Sequence, residues 1–256
     1  TSSRSSLLLA RRVTLPILES ASLKVNIAQI LQASGRWPEA VATYNEAVEM
    51  LNPPIDPSGQ VIRTVFDLPS HIYRIERQTS DSLTAANSLN QAFSYYRNFI
   101  SSRSNPNLTL AAHGNLAGLY ADIRNWQACV SELGQMKDSV GAVGLDAQVR
   151  IADIHAGELG QFDSALAMYD RIGTRLIGQD TALRPILLFK RSLVFMEMKR
   201  YGEARQALSE LDRKYHRYFI ASPAAQQVKA QRLACSFGDC VVRRDAGRGG
   251  VDRRQA

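Results

Sequence analysis

Cysteine, proline and long apolar runs are scarce in this chain of 256 residues. Its 3 cysteines cannot form a disulfide framework, and their odd number leaves the redox compartment open. No apolar run approaches the roughly 20 residues of a membrane-spanning helix, so we expect no transmembrane segment. The 9 prolines and the 21% of charged residues are typical of a globular chain and not of a disordered one.

Motifs that carry chemistry are also missing from the sequence. It contains no HExxH, no CxxC, no glycine-rich phosphate loop and no recognisable Ser-His-Asp arrangement. The histidines stand on separate segments, at His71, His113, His155 and His216. We therefore expect no enzymatic activity, no cofactor, no metal and no catalytic residue.

The positive charge is concentrated at the two ends of the chain. The formal net charge is +7, of which residues 1–18 and residues 241–256 carry +3 each. The intervening body is nearly neutral, which favours a protein partner over nucleic acid. Association with nucleic acid or an anionic surface through the basic ends is the alternative. We expect residues 1–19 to form a tail or a partial helix and residues 238–256 to form a flexible basic tail.

Four segments repeat one pattern: an aromatic residue, a small residue three positions later and a bulky residue four positions after that. The aromatic residues are Trp37, Trp126, Phe162 and Tyr201. The small residues are Ala40, Cys129, Ala165 and Ala204, and the bulky residues are Tyr44, Leu133, Tyr169 and Leu208. A small residue lets two antiparallel helices approach closely, and its larger neighbours fill the space beside it. The pattern thus predicts the second helix of a repeated helical hairpin.

Amphipathic segments precede these second helices at the expected distance. Apolar residues recur at three- and four-residue steps over 22–33, 108–123, 146–159 and 186–198, which predicts the first helices. Residues 82–101 read as the second helix of a further pair. Between the first two aromatic residues of the pattern, residues 52–81 form an irregular insertion, in which Pro69 and Ser70 suggest a new helix start.

A residue one or two positions before each aromatic predicts how the first helix ends. Gly35, Asn125 and Gly160 fit a left-handed turn, which glycine and asparagine adopt most easily. Lys199 departs from this rule, so we expect a different or weaker turn there.

The repeated pattern resembles that of tetratricopeptide repeats, over roughly residues 20–237. The resemblance implies an all-α fold: a right-handed superhelical solenoid of about four to five antiparallel hairpins, with a closing helix at 223–237. Polar links followed by alanine-rich helices, at 101–112 and 215–225, are also similar to bacterial helpers of the Tol–Pal and outer-membrane-assembly type. The bacterial periplasm or envelope and the cytoplasm both stay open as compartments.

Such repeats hold a peptide or domain of another protein in a concave groove that the first helices line. We therefore expect a non-catalytic scaffold or adaptor whose partner is another protein, with a second copy of itself as an open alternative. The groove candidates are polar or exposed positions on the first helices: Asn26, Gln29, Asn115, Asp122, Arg150, Glu158, Phe189 and Lys190.

Overall fold

The computed structural model describes the backbone of residues 2–56, 58, 60–102, 105–176 and 183–219, and side chains within these ranges from residue 16 to residue 215. This part of the chain forms eleven helices. They are α1 (Ser2–Ala33), α2 (Trp37–Met50), α3 (Arg63–Phe66), α4 (Leu68–Thr79), α5 (Ser82–Ser102), α6 (Pro106–Asp122), α7 (Trp126–Met136), α8 (Ala142–Gly157), α9 (Phe162–Arg175), α10 (Leu183–Glu197) and α11 (Tyr201–Phe219). One isolated antiparallel bridge joins Ile55 and Val61, and the described residues contain no strand. The predicted all-α fold is confirmed.

The chain divides into two compact units, unit 1 (Thr1–Asp138) and unit 2 (Ser139–Ala256). Unit 1 contains the helix pairs α1/α2, α4/α5 and α6/α7, and unit 2 contains α8/α9 and α10/α11. The predicted closing helix at 223–237 and the predicted basic tail at 238–256 lie outside the described residues.

The repeated small residues lie in the cores of the two units. Ala40 and Cys129 are fully buried in unit 1, and Ala165 and Ala204 are fully buried in unit 2. An alanine at such a contact leaves no room for a larger side chain, and overpacking typically costs about 1–3 kcal/mol. The pattern therefore defines the hairpins and not a binding surface.

The irregular part of unit 1 is shorter than the sequence suggested. A regular first helix, α4, begins at Leu68 with a proline in its first turn, so the expected insertion at 52–81 ends before this helix. The short helix α3 precedes it and buries Val65 and Phe66 completely. Phe66 packs edge-on against Tyr96 of α5, with ring centroids 5.3 Å apart. This segment thus supplies part of the hydrophobic core.

Helix α1 begins at Ser2, so the range 1–19 is helical from its second residue. In the other hairpins the predicted first helices coincide closely with α6, α8 and α10.

Four of the five turns between paired helices precede a repeated aromatic residue, and each of these four places a left-handed residue two positions before it. These residues are Gly35 (φ 75°), Arg124 (φ 58°), Gly160 (φ 64°) and Lys199 (φ 58°). The expectation for Asn125 was wrong, because its φ is −86° and its side chain caps α7 by accepting a hydrogen bond from the Ala128 N–H. The expectation for Lys199 was also wrong. Its turn has the same form as the glycine turns, closed by the Arg200 N–H donating to the Phe195 carbonyl at 2.8 Å.

Candidate functional site

Three buried tyrosines occupy equivalent positions on second helices, and their hydroxyl groups find different partners. Tyr96 donates to the carbonyl oxygen of Phe66 at 3.1 Å and accepts from the Ser70 hydroxyl at 3.0 Å. These contacts join α5 to α3 and α4 inside the core. The hydroxyl groups of Tyr44 and Tyr169 instead reach polar side chains on the first helices.

In unit 1, a neutral three-residue relay joins the first two hairpins. The Tyr44 hydroxyl donates to Gln32 Oε1 at 3.0 Å, and His71 Nε2 lies 3.1 Å from the same oxygen. Burial, and then the charge of Arg74, lower the pKa of His71. A neutral imidazole that donates from Nε2 fits this amide oxygen.

A cleft opens above this relay, which we call cleft 1. It has a volume of about 420 Å³ and is lined by Val25, Gln29, Tyr44, Arg63, Thr64, Asp67, Leu68, His71 and Arg74. Val25, Tyr44 and Leu68 are buried and form an apolar floor. The Arg63 and Arg74 side chains at the rim are 60% and 46% exposed. The cleft therefore combines an apolar base with positively charged side chains that solvent can reach.

Hydrogen bonds between α4 and α6 brace the neighbouring surface. Arg74 Nε donates to Asp122 Oδ2 at 2.7 Å, and an Arg77 guanidinium N–H donates to the Asp122 carbonyl at 2.9 Å. About two turns away, Asn115 Nδ2 donates to Asp67 Oδ1 at 2.7 Å. A side chain at Gly118 would place its Cβ 3.4 Å from Arg74 Nη2, so this glycine leaves space for the arginine.

Unit 2 contains a relay of the same form that is charged. The Tyr169 hydroxyl donates to Asp153 Oδ1 at 2.6 Å, and Lys190 Nζ donates to both Asp153 oxygens, at 2.9 and 2.8 Å. Burial, followed by the hydrogen bond to Asp153, raises the pKa of Tyr169. The relay thus ties α9 to α8 and α8 to α10.

A second cleft, cleft 2, lies beside this relay within unit 2. Its volume is about 350 Å³, and it is lined by Asp153, Ala156, Gly157, Phe162, Tyr169, Lys190, Leu193, Val194 and Glu197. The ammonium group of Lys190 is engaged by Asp153, so its charge is neutralised within the relay, and Glu197 adds a further carboxylate to the lining.

The structure brings several of the predicted groove residues of unit 1 to one surface. Gln29 lines cleft 1, and Asn26 is exposed one turn before it on α1. Asn115 and Asp122 reach the same α4 helix through Asp67 and Arg74. These two residues are therefore bonded within the fold as well as placed beside the cleft.

The predicted residues of unit 2 separate into different environments. Lys190 lines cleft 2, whereas Phe189 packs against the hydrophobic core of the unit. Arg150 is half-buried on α8, and Glu158 is exposed where that helix ends.

Sequence reasoning missed the residues that hold the clefts together, above all Gln32, His71 and Tyr169. One available signal was the spacing Asp67, His71 and Arg74, which places three polar residues on one face of α4. The repeated tyrosine at the bulky position was a second signal, because a buried phenol needs a hydrogen-bond partner.

The fold is similar to that of solved tetratricopeptide-repeat structures. The nearly identical TPR-like repeats from Podosopora anserina give a TM-score of 0.51 at 16% identity, covering 82% of this chain and 96% of that chain. A tetratricopeptide repeat protein from Parabacteroides merdae gives a TM-score of 0.51 at 12% identity, covering 86% and 73% respectively. BtubC (BKLC) from P. vanneervenii gives 0.52 at 15% identity, covering 93% and 92%. No family model matches the sequence, and no curated protein matches it.

These likenesses confirm a tetratricopeptide-type fold of stacked helix pairs and concern the fold alone. They do not extend to the Tol–Pal type. Folds of this type commonly mediate protein–protein interaction through surfaces that successive repeats build together.

Two further observations concern only the described residues. None of their helices has the length and hydropathy needed to cross a membrane. They contain no group of three or more His, Cys, Asp and Glu side chains arranged to hold a metal ion. The basic residues of 241–256, on which the nucleic-acid alternative depends, lie outside the described part.

Proposed function

We propose that this chain is a non-catalytic protein-interaction scaffold and that it holds a peptide segment of its partner in cleft 1 of unit 1. The observation that carries the proposal is the composition of the cleft. A buried apolar floor lies beneath a rim of polar side chains, in a volume within the range of about 300–1,000 Å³ that is usual for ligand sites.

The rim supports binding of a segment that combines an apolar side chain with hydrogen-bond acceptors. Arg63 approaches Asp67 only to 3.7 Å, which is longer than a hydrogen bond, and it is largely exposed. A guanidinium group has five N–H donors, so Arg74 can keep its bond to Asp122 and still donate to a peptide carbonyl or carboxylate.

The bracing between α4 and α6 supports the same proposal. Asn115 and Asp122 hold α6 against α4 without occupying the cleft, so the cleft walls are preorganised. Preorganised walls improve affinity because less conformational entropy is lost on binding.

The test uses random peptides displayed on phage and selected against the full chain. Enriched peptides are then measured by fluorescence polarisation against Gln29→Trp, which fills cleft 1. The matched control is Gln91→Trp, at an exposed glutamine on the second helix α5 of the same unit. We expect Gln29→Trp to weaken binding by about tenfold or more and Gln91→Trp to leave it unchanged. Failure to enrich any peptide, or equal binding by both variants, would contradict the proposal.

A further inference from the structure

Helix α1 carries two apolar stripes, and only one of them is covered. Ala21, Val25 and Ala28 are buried in the core of the first hairpin. On the opposite face, Leu23, Ile27 and Ile30 are 59%, 43% and 67% exposed. A helix that is apolar on two faces is normally buried on both. Within the described residues, the exposed stripe therefore has an apolar composition but no packing partner.

The hairpin partners of α1 leave this stripe accessible in unit 1. Lys24 contacts Glu46 of α2 on one side of the helix, and Gln32 contacts His71 of α4 near the buried face. Helix α2 has 14 residues against the 32 residues of α1, so it can lie along less than half of that helix.

The spacing of the exposed stripe is that of a coiled-coil seam. Ser20, Leu23, Ile27 and Ile30 follow one another at steps of three, four and three residues, which places Ser20 and Ile27 at a positions and Leu23 and Ile30 at d positions. Ile27 at a with Leu23 at the preceding d is the combination that favours two parallel strands, and Ile30 occupies the next d position.

The charges beside the seam fit a second copy of the same helix. In this register Glu19 is at g and Lys24 is at the following e position. A parallel pair places each g residue beside the e residue that follows on the other helix, so Glu19 faces Lys24 of the second copy on both sides. Glu19 is exposed and forms no ion pair within the described residues, and an ammonium group can serve two carboxylates.

We propose that the exposed stripe of α1 is a homodimer interface, in which two copies of this chain pair their α1 helices in parallel through Leu23, Ile27 and Ile30. The two-fold axis runs along the seam, so each hairpin lies on the outside of its own α1. This proposal does not depend on the function proposed for cleft 1.

The first test compares the association of two variants by sedimentation equilibrium. Ile27→Asp places a charge in the centre of the seam, and Leu83→Asp makes the same change at a leucine on α5 that is 70% exposed. We expect the unchanged chain and Leu83→Asp to be dimers. Ile27→Asp should weaken dimerisation by about a hundredfold or more while its circular dichroism stays helical.

The second test probes whether position 27 of one copy lies beside position 27 of the other, as the parallel pair requires. In a Cys235→Ser/Cys240→Ser background, Ile27→Cys should give a disulfide-linked dimer on oxidation, because a parallel pair places position 27 beside its own copy. Leu83→Cys in that background should not. A monomeric unchanged chain, a dimer that persists in Ile27→Asp, or no cross-link through position 27 would overturn the proposal.

Discussion

The two relays beside the clefts connect equivalent helices, but one is neutral and the other is charged. In both, a tyrosine of a second helix donates to a side chain of its own first helix, which in turn contacts the first helix of the next hairpin. The central group is the neutral amide of Gln32 in unit 1 and the carboxylate of Asp153 in unit 2. The repeat architecture therefore determines which helices are connected, and it leaves the position and the charge of the connecting residue open.

This difference determines which hydrogen-bond donors each cleft presents to a ligand. The ammonium group of Lys190 is committed to Asp153, whereas the arginines at the rim of cleft 1 keep exposed donors. A neutral relay stabilises the fold without placing a charge in the cleft. In a charged relay, removal of one partner leaves the other charge unpaired, so stability depends on both charged partners.

The largest expected effect is the difference between the two relays in the unfolding free energy that is lost when the central residue is removed. Asp153→Ala removes the acceptor of a charge-assisted hydrogen bond and leaves Lys190 and Tyr169 without it, so we expect a loss of about 2–3 kcal/mol in unfolding free energy. Gln32→Ala removes neutral hydrogen bonds and should cost about 1 kcal/mol. Urea unfolding followed by circular dichroism measures both variants.

The two tryptophans make this comparison sharper. Trp37 and Trp126 both lie in unit 1, so tryptophan fluorescence follows that unit while circular dichroism follows both. Equal losses for Asp153→Ala and Gln32→Ala would show that the charge of the relay contributes nothing.

The turns allow a second comparison within each unit, for which we expect a change in unfolding free energy of intermediate size. Each unit contains one glycine turn and one turn in which a lysine or an arginine takes the left-handed conformation, which strains residues with a Cβ. We expect Lys199→Gly to raise the unfolding free energy by up to about 1 kcal/mol.

The opposite change at the matching turn is the control. Gly160 has open space around its Cα and a positive φ, so Gly160→Ala should lower stability by about 1 kcal/mol through backbone strain alone. Thermal unfolding measures both variants. A loss of stability in Lys199→Gly would mean that the lysine side chain matters more than its backbone strain.

The smallest expected effect is a pH dependence confined to the neutral relay. Burial lowers the pKa of His71 below its ordinary value of 6.5, so the unfolded chain binds a proton more readily than the folded one. The contribution of His71 is present above pH 6.5 and is lost as the pH falls through its folded-state pKa.

The measurement is the difference in melting temperature between the unchanged chain and His71→Asn over that pH range. The rest of the sequence is the same in both proteins, so its pH dependence cancels in the difference. We expect the advantage of the unchanged chain to shrink as the pH falls, and a constant difference would contradict this assignment.

The repeated elements could be predicted from the sequence, because their pattern has a steric cause. Ala40, Cys129, Ala165 and Ala204 occur where helices touch, and the structure buries each of them completely. The helix α5 was also predictable, since its apolar stripe is long and continuous.

The relays could not be predicted, because their central residues do not repeat. Gln32 precedes its repeated aromatic by five residues, whereas Asp153 precedes Phe162 by nine, so the two occupy different turns of their helices. The turns were misjudged at Asn125 and Lys199 for a different reason. Residue preference favours asparagine over arginine and lysine in the left-handed region, and the closing hydrogen bonds of the hairpin outweighed it.

The burial of Cys129 provides a way to measure local unfolding of the third hairpin, which consists of α6 and α7. Its thiol lies at the contact between α6 and α7 with none of its surface exposed. A thiol reagent can reach the sulfur only when these two helices separate, so the labelling rate at this one residue follows local unfolding of the hairpin. The small residue that allows the two helices to pack closely therefore also allows the frequency of their separation to be measured by thiol labelling.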